Sequence, residues 1–271
     1  MAPVRQLILV AVLMSISAGC ATTQPEPPPI GPPPTGADDL VFQLVELPGL
    51  MPPGQSFNLP RMSLYGDGSL ILADNASSAV PRPTQRQLTT IGVGRVLQAA
   101  AAAGLTGNTD YGTPQIADAG ASVFTVATPT RRTTKVVAPT HVDGVTDPQR
   151  EARQRLRSFV DNLANLDTWL TNDITKDSPP YGYTRLAVFA QPQDPNPNTP
   201  QRPWPLADLT AAGEPHGVGR CLVISGTELE TVRGAATDAP RNIHWRGGDQ
   251  LFRVVFRPLL RTERTCRDVE P

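Results

Sequence analysis

"RMSLYGDGSLILAD", residues 61–74, is the stretch from which the fold is read. Apolar residues alternate on both sides of Gly66-Asp67-Gly68, and those three residues supply the positive-φ positions of a tight turn, so the segment predicts a β-hairpin. Upstream, "LVFQLVEL" (40–47) reads as a strand. Downstream, "LTTIGVGRVLQAAAAAGL" (88–105) reads as a helix with Gly104 at C′ and Leu105 as its hydrophobic follower. "ASVFTVATP" and "RTTKVVAP" (121–139) form a second hairpin by their β-branched content. Asp147-Pro148 opens the clearest helix, with aspartate as cap and proline at N1. Leu156, Phe159, Val160, Leu163 and Leu166 fall on one face of it.

The rest of the chain repeats this alternation less regularly. "TRLAVFAQP" (184–192) and "RCLVISG" (220–226) read as strands, with a proline-rich loop from Pro192 to Pro205 between them. "TELETVRGAA" (227–236) is a short helix, and "IHWRGGDQLFRVVFRPLL" (243–260) a hairpin turning at Gly247-Gly248. The order ββαββα–ββαββ predicts an α+β fold of antiparallel sheets with helices packed on one face. It also raises the expectation of two similar halves, 39–180 and 181–271, forming either one domain or two.

Composition narrows the function classes. The 271 residues suffice for a sizeable core, and 24 basic against 25 acidic residues give no nucleic-acid footprint. Proline, at 30 residues, has about twice its usual share of roughly 5%. Only Lys135 and Lys176 are lysine, so arginine supplies nearly all the positive charge. With the abundant alanine, this bias points to a high-GC bacterial genome, actinobacterial by expectation.

The first residues concern address. Arg5 precedes a ten-residue run, Leu7–Ile16 (LILVAVLMSI), which has the length of a signal-peptide core; a membrane span needs about 20 apolar residues. Ser17-Ala18-Gly19-Cys20 follows. This resembles the bacterial lipoprotein signal, an aliphatic residue and two small ones before a cysteine, and departs from it at Ser17. The resemblance implies that residues 1–19 are a leader cut before Cys20, and that the Cys20 thiol carries lipid (palmitate among the acyl chains) that holds the protein at the extracytoplasmic face of the cell membrane. The alternative is a plain secretory signal cut after Ala21. Residues 20–38 contain seven prolines from Pro25 to Pro34 and favour polyproline II, a tether reaching up to roughly 55 Å at about 3.1 Å per residue.

A second resemblance covers roughly residues 60–165. The "SLYGDGSLI" hairpin (63–71), the helix after it and the "ADAGASVFTV" strand (117–126) are similar to a domain of bacterial lipoproteins and exported proteins to which no activity is assigned. It implies fold and location only.

With Cys20 lipidated, Cys221 and Cys266 remain as an even pair, and in an exported protein the expectation is a disulfide. Closing that loop of about 45 residues stabilises by roughly 4 kcal/mol on the chain-entropy model. The histidines are His141, His216 and His244. "HVDG" (141–144) sets His141 and Asp143 on one strand face, half of a zinc site with no second ligand cluster near it, so a solvated turn histidine is the ordinary reading. His216 lies in a loop, and His244 beside Trp245 reads as strand packing. No G-x-S-x-G, C-x-x-C, H-E-x-x-H or P-loop occurs. "GVGRVL" (92–97) imitates a dinucleotide fingerprint, yet Leu97 holds the third glycine position, the glycines lie inside a helix pattern, and "PTQRQLTT" (83–90) before it is no buried strand.

Arg150, Arg153, Arg155 and Arg157 cluster on the helix after Pro148, where Glu151–Arg155 and Arg157–Asp161 spacings predict a salt-bridged solvated face. Binding to anionic headgroups or an acidic wall polymer is the sharper alternative. Arg246, Arg253, Arg257, Arg261 and Arg264 thread the last hairpin and tail, with Arg253 and Arg257 expected on one face and paired with sheet carboxylates. Trp204, in "RPWPL", is either an exposed anchor or the pin of its own loop. The reading that results is an envelope lipoprotein serving as a non-enzymatic binding or assembly module, with no catalytic residue, metal or cofactor assigned. Its partners would be the membrane, through the lipid, and an envelope protein. The alternatives are a lipid-anchored hydrolase of wall or lipid material and a small-ligand receptor.

Overall fold

The computed structural model describes residues 31–50, 57–74, 78–127, 131–196 and 198–269. Cys20, the leader 1–19 and the tether up to residue 30 lie outside the described residues. The chain is α+β, and the described residues form two six-stranded sheets and four α-helices.

The first sheet contains β1 (Leu40–Leu47), β2 (Met62–Tyr65), β3 (Ser69–Leu72), β4 (Thr84–Gln87), β5 (Ala121–Ala127) and β6 (Arg131–Val137). They run in the order β4-β3-β2-β1-β5-β6, every neighbouring pair antiparallel. The β2–β3 hairpin matches its expected place, with Met62 opposite Leu72 and Leu64 opposite Leu70. Of its two glycines only Gly68 has positive φ, +84°. Gly66 is needed for closeness instead: a Cβ there would lie 2.5 Å from the Pro34 carbonyl oxygen. In β1 a bulge between Leu40 and Phe42 turns both Val41 and Phe42 into the same core.

One face of this sheet is covered by α1 (Thr90–Ala102) and α2 (Asp147–Ala164), and the short α3 (Leu166–Trp169) continues α2. Phe42, Leu44, Leu64, Leu70 and Phe124 of the strands pack on Val96 and Leu97 of α1 and Leu156 and Phe159 of α2. The apolar side chains recur at helical spacing on the sheet-facing side, and their burial supplies most of the stabilisation. Thr89 caps α1, its Oγ1 accepting from the Gly92 N–H at 3.1 Å. At the other end Gly104 (φ +93°) and Leu105 bond back to the carbonyls of Ala101 and Ala100, a Schellman stop. The cap of α2 is Thr146 rather than Asp147, because the Gln149 side chain reaches back to the Thr146 N–H (3.0 Å) and the helix gains one residue; Pro148 then stands second in the helix.

Arg153 corrects the expectation of a solvated arginine face. Its guanidinium is fully buried and donates to five backbone carbonyls: Tyr111 (2.5 Å) and Gly112 (3.0 Å) after α1, Val137 (3.0 Å) and Ala138 (2.6 Å) ending β6, and His141 (3.0 Å). No carboxylate takes part in these bonds, and burial draws its pKa below the ordinary arginine value. Ala138 is held at φ +43°, a strained conformation for a residue with a Cβ, at the point where β6 turns toward α2. Arg150 pairs with Asp147, and the two expected pairs, Glu151–Arg155 and Arg157–Asp161, do not close among the described residues.

The second sheet contains β7 (Arg185–Gln193), β8 (Gln201–Pro203), β9 (Glu214–His216), β10 (Gly219–Ser225), β11 (His244–Gly247) and β12 (Gln250–Pro258), in the order β8-β11-β12-β7-β10-β9. Only the β8–β11 pairing is parallel. The last hairpin turns at Gly248-Asp249, one residue beyond the expected place, since Gly247 still pairs with Gln250. Helix α4 (Gly226–Ala236) covers one face with Leu229, Val232 and Ala236 against Leu186, Val188 and Phe256. The other face is sealed by Phe57 and the chain end, Leu259 to Val269.

The two halves share a strand count and a central opening strand, β1 or β7, but not a topology. The strand after the helix lies beside the centre in the first half (β5) and one place outside it in the second (β11). "PTQRQLTT" holds edge strand β4, half-buried and made mainly of polar residues.

Cys221 and Cys266 are bonded, with Cα atoms 6.2 Å apart across 45 residues of chain, and they join β10 to the C-terminal tail. Two measurements test these anchors. Arg153→Met should lower the free energy of unfolding by about 3–5 kcal/mol, and Arg153→Lys should rescue little of it, since a point ammonium cannot serve five separated carbonyls. Urea unfolding of the Cys221→Ser, Cys266→Ser double variant should show a loss of about 4 kcal/mol; an unchanged midpoint would refute the tail's structural role.

Candidate functional site

Ser78 bridges to Pro240 across the two halves, while Thr84 with Pro180 and Leu88 with Ile174 tie the segment leading out of the first half back to it. Beside this seam opens a cleft of about 810 Å³ whose walls come from both halves. The first half contributes Arg61 at the start of β2, Arg86 on β4, Asp74 after β3, and Leu163, Leu166 and Asp167 from the end of α2 and α3; the second contributes Arg241 and residues 253–256 of β12. Such a volume lies within the range of small-molecule sites, roughly 300–1,000 Å³.

Its charged groups fall into two sets. Arg86 is buried and engaged through two of its nitrogens: Nε donates to the Thr175 carbonyl (2.8 Å), and Nη2 reaches Asp167 Oδ1 at 2.5 Å and the same Thr175 carbonyl. The hydrogen bond and charge of Arg86 hold the Asp167 carboxyl below the usual carboxylate range. Arg61 bonds Glu46 at 2.7 Å. Asp74 accepts from the Arg82 N–H through Oδ2 (2.9 Å), while its Oδ1 is buried with no hydrogen-bond partner. Arg253, half-buried, and Arg241, exposed, hold no hydrogen bond or ion pair among the described residues. Among the described residues the lining includes no histidine, serine, threonine, cysteine, tyrosine or lysine.

The other residues singled out in the sequence are dispersed. His141, in the loop before α2, is partly exposed and 4.0 Å from Asp143, a solvated turn histidine that also lends its carbonyl to Arg153. His216 on β9 lies edge-on to Phe57 (5.0 Å) and Phe189 (5.9 Å). His244 on β11 is directly across the strand pair from Arg253. Four strand steps separate β11 from β9, roughly 19 Å at about 4.8 Å each, so His216 and His244 cannot share a site. Among the described residues no three His, Cys, Asp or Glu side chains form a metal-holding group. Trp204 is buried against Trp245 (5.6 Å, edge to face) and Phe256 (6.2 Å, stacked), so it pins its loop and is no exposed anchor.

The last arginines also separate. Arg246 bonds Gln201 at 2.6 Å. Arg257 pairs with Glu263 in the tail rather than with a sheet carboxylate, and Arg253 has no partner in the cleft among the described residues. Arg264 donates to the Arg261 carbonyl at 2.6 Å, and Arg261 crosses the seam to the Ala37 carbonyl (2.6 Å) and Asp67 Oδ2 (2.8 Å). Sequence reasoning did not find the cleft, because Arg61, Arg86, Arg241 and Asp74 stand in unrelated local patterns. Arg253 was singled out, for strand alternation alone.

No family model, curated protein or solved structure matches this chain. No helix among the described residues is long and apolar enough to cross a membrane.

Asp67 provides a pH test of the seam. Burial pushes its carboxyl upward, but hydrogen bonds from Arg261 and Ser69 outweigh that and leave its pKa below the usual value. A depressed folded-state pKa contributes stability that is present above the unfolded value of about 3.9 and lost as pH falls through the folded one. Asp67→Asn should therefore unfold about 1 kcal/mol more easily than wild type at pH 7, and the gap should close below about pH 4. A gap independent of pH would exclude the charge as its source.

Proposed function

We propose that the chain is an envelope lipoprotein, anchored through lipid on Cys20 and held off the membrane by residues 20–38. Its folded part serves as a non-enzymatic binding module whose receiving surface is the cleft between the two sheets. The observation that carries the binding reading is the makeup of that cleft. Guanidinium groups converge on it from both halves, and two of its three carboxylates are already held by arginine. Convergent polar groups above apolar walls are the usual form of a ligand site. A hydrolase would need a nucleophile and a base within hydrogen-bond reach, and the three histidines stand elsewhere.

The anchor reading draws its support from the leader, Cys20 and the proline-rich stretch after it, together with the paired Cys221 and Cys266 expected of an exported protein. An address outside the cytoplasm follows from it, with the membrane and an envelope protein as partners.

Palmitate labelling of cells and mass spectrometry of the mature amino terminus test the anchor. Acylated Cys20 at the new terminus is expected, and Cys20→Ser should release the protein from the membrane fraction. A soluble product beginning at Thr22 would refute the anchor. Crosslinking of the membrane-held protein tests the module: recovery of a partner through residues bordering the cleft is expected, and recovery of none counts against the reading.

A further inference from the structure

The cleft has one more cation than it has anions, and the excess is not spread evenly. Arg61 and Arg86 belong to the first half and are satisfied by Glu46 and by Asp167 with Thr175. Arg241 and Arg253 belong to the second half and face the same space without a partner among the described residues. A guanidinium that is partly withdrawn from water loses hydration and regains it only through a bound acceptor. Arg253 is in this condition: it sits on a central strand, half-buried, and its position is set by pairing with His244 across the sheet. The planar fork of Arg253, together with that of exposed Arg241 lining the same space, is suited to one carboxylate or phosphate head.

The remaining walls set the rest of the ligand. Met62, Leu72, Leu163, Leu166 and Phe256 line the cleft and offer apolar contact. Glu46, Asp74 and Asp167 lie on the same walls and repel a second negative charge. Resting on the binding-module reading above, we infer that the cleft takes a monoanionic amphiphile, a single carboxylate or phosphodiester head on an apolar body. The head bridges Arg241 and Arg253, and the body lies against the Met62–Leu72 and Leu163–Leu166 walls.

Calorimetric titration of the full chain with four probes tests this. Octanoate carries a carboxylate head, dihexanoylphosphatidylglycerol a phosphodiester head, octyl glucoside an apolar body without charge, and acetate a head without a body. At least one of the first two should bind no less than tenfold more tightly than both octyl glucoside and acetate, and the tighter one identifies the source of the head. Arg253→Ala and Arg241→Ala should each weaken that binding at least tenfold. Arg241 is exposed, so its variant tests the contact without disturbing the sheet, and an unchanged melting profile checks both proteins. Equal binding of octyl glucoside, affinity indifferent to both substitutions, or binding of neither anionic amphiphile would overturn the inference. In the last case a crosslinked partner at the cleft would leave the binding-module reading standing, whereas failure of both experiments would remove the two together.

Discussion

The bidentate contact between Arg257 and Glu263 governs how the two halves are joined. Both side chains are buried, with Nη1 and Nη2 each 2.7 Å from a carboxylate oxygen, and the Glu263 Oε2 also accepts from the Leu260 N–H at 2.6 Å. Burying two charges costs about as much as their attraction returns, so the pair contributes position more than net stability. It fixes the bend at which the chain leaves β12. From that bend Leu260 enters the far face of the first sheet beside Tyr65 and Ile71, Arg261 reaches Asp67, and Cys266 arrives at Cys221. The seam, and with it the cleft, stands on that short stretch of chain.

Proline and arginine shift the backbone's hydrogen-bond balance in opposite directions. Thirty prolines remove thirty backbone N–H donors while leaving every carbonyl in place. Loops rich in proline therefore carry more acceptors than donors, and the guanidinium, with five donors and no acceptor, fills the deficit. Arg153 serves five carbonyls, Arg220 those of Ala211, Ala212 and Gly213, Arg202 that of Ala235, and Arg233 that of Tyr183. The arginine bias read as a genomic signature thus also has a structural use. Among the described residues, Arg241 and Arg253 are the arginines without an acceptor that line the cleft.

Much of the fold was legible because its signals are local. The 61–74 hairpin, the Gly104-Leu105 stop and the strands at 184–192 and 220–226 announce themselves by alternation, turn residues or a helix signal within about ten residues. The elements that escaped, β4 (TQRQ), β8 (QRP) and β9 (EPH), are three or four residues long and mainly polar. They are strands only because a neighbouring chain offers a ladder at an edge. The Arg153 expectation failed for a related reason: i,i+4 spacing describes an isolated helix, and the carbonyls that captured this side chain come from segments 12 to 42 residues away.

By itself, then, the sequence determined the fold class, most of the strands and helices, and the pairing of Cys221 with Cys266, because periodicity, turn chemistry and cysteine parity act within a segment or by simple count. Only the tertiary structure decided that the halves differ in strand order, that Trp204 is interior, and that four arginines and three carboxylates share one cleft. Those outcomes depend on which distant backbones come within hydrogen-bond reach, and no local pattern encodes a distance between segments that are far apart in the chain.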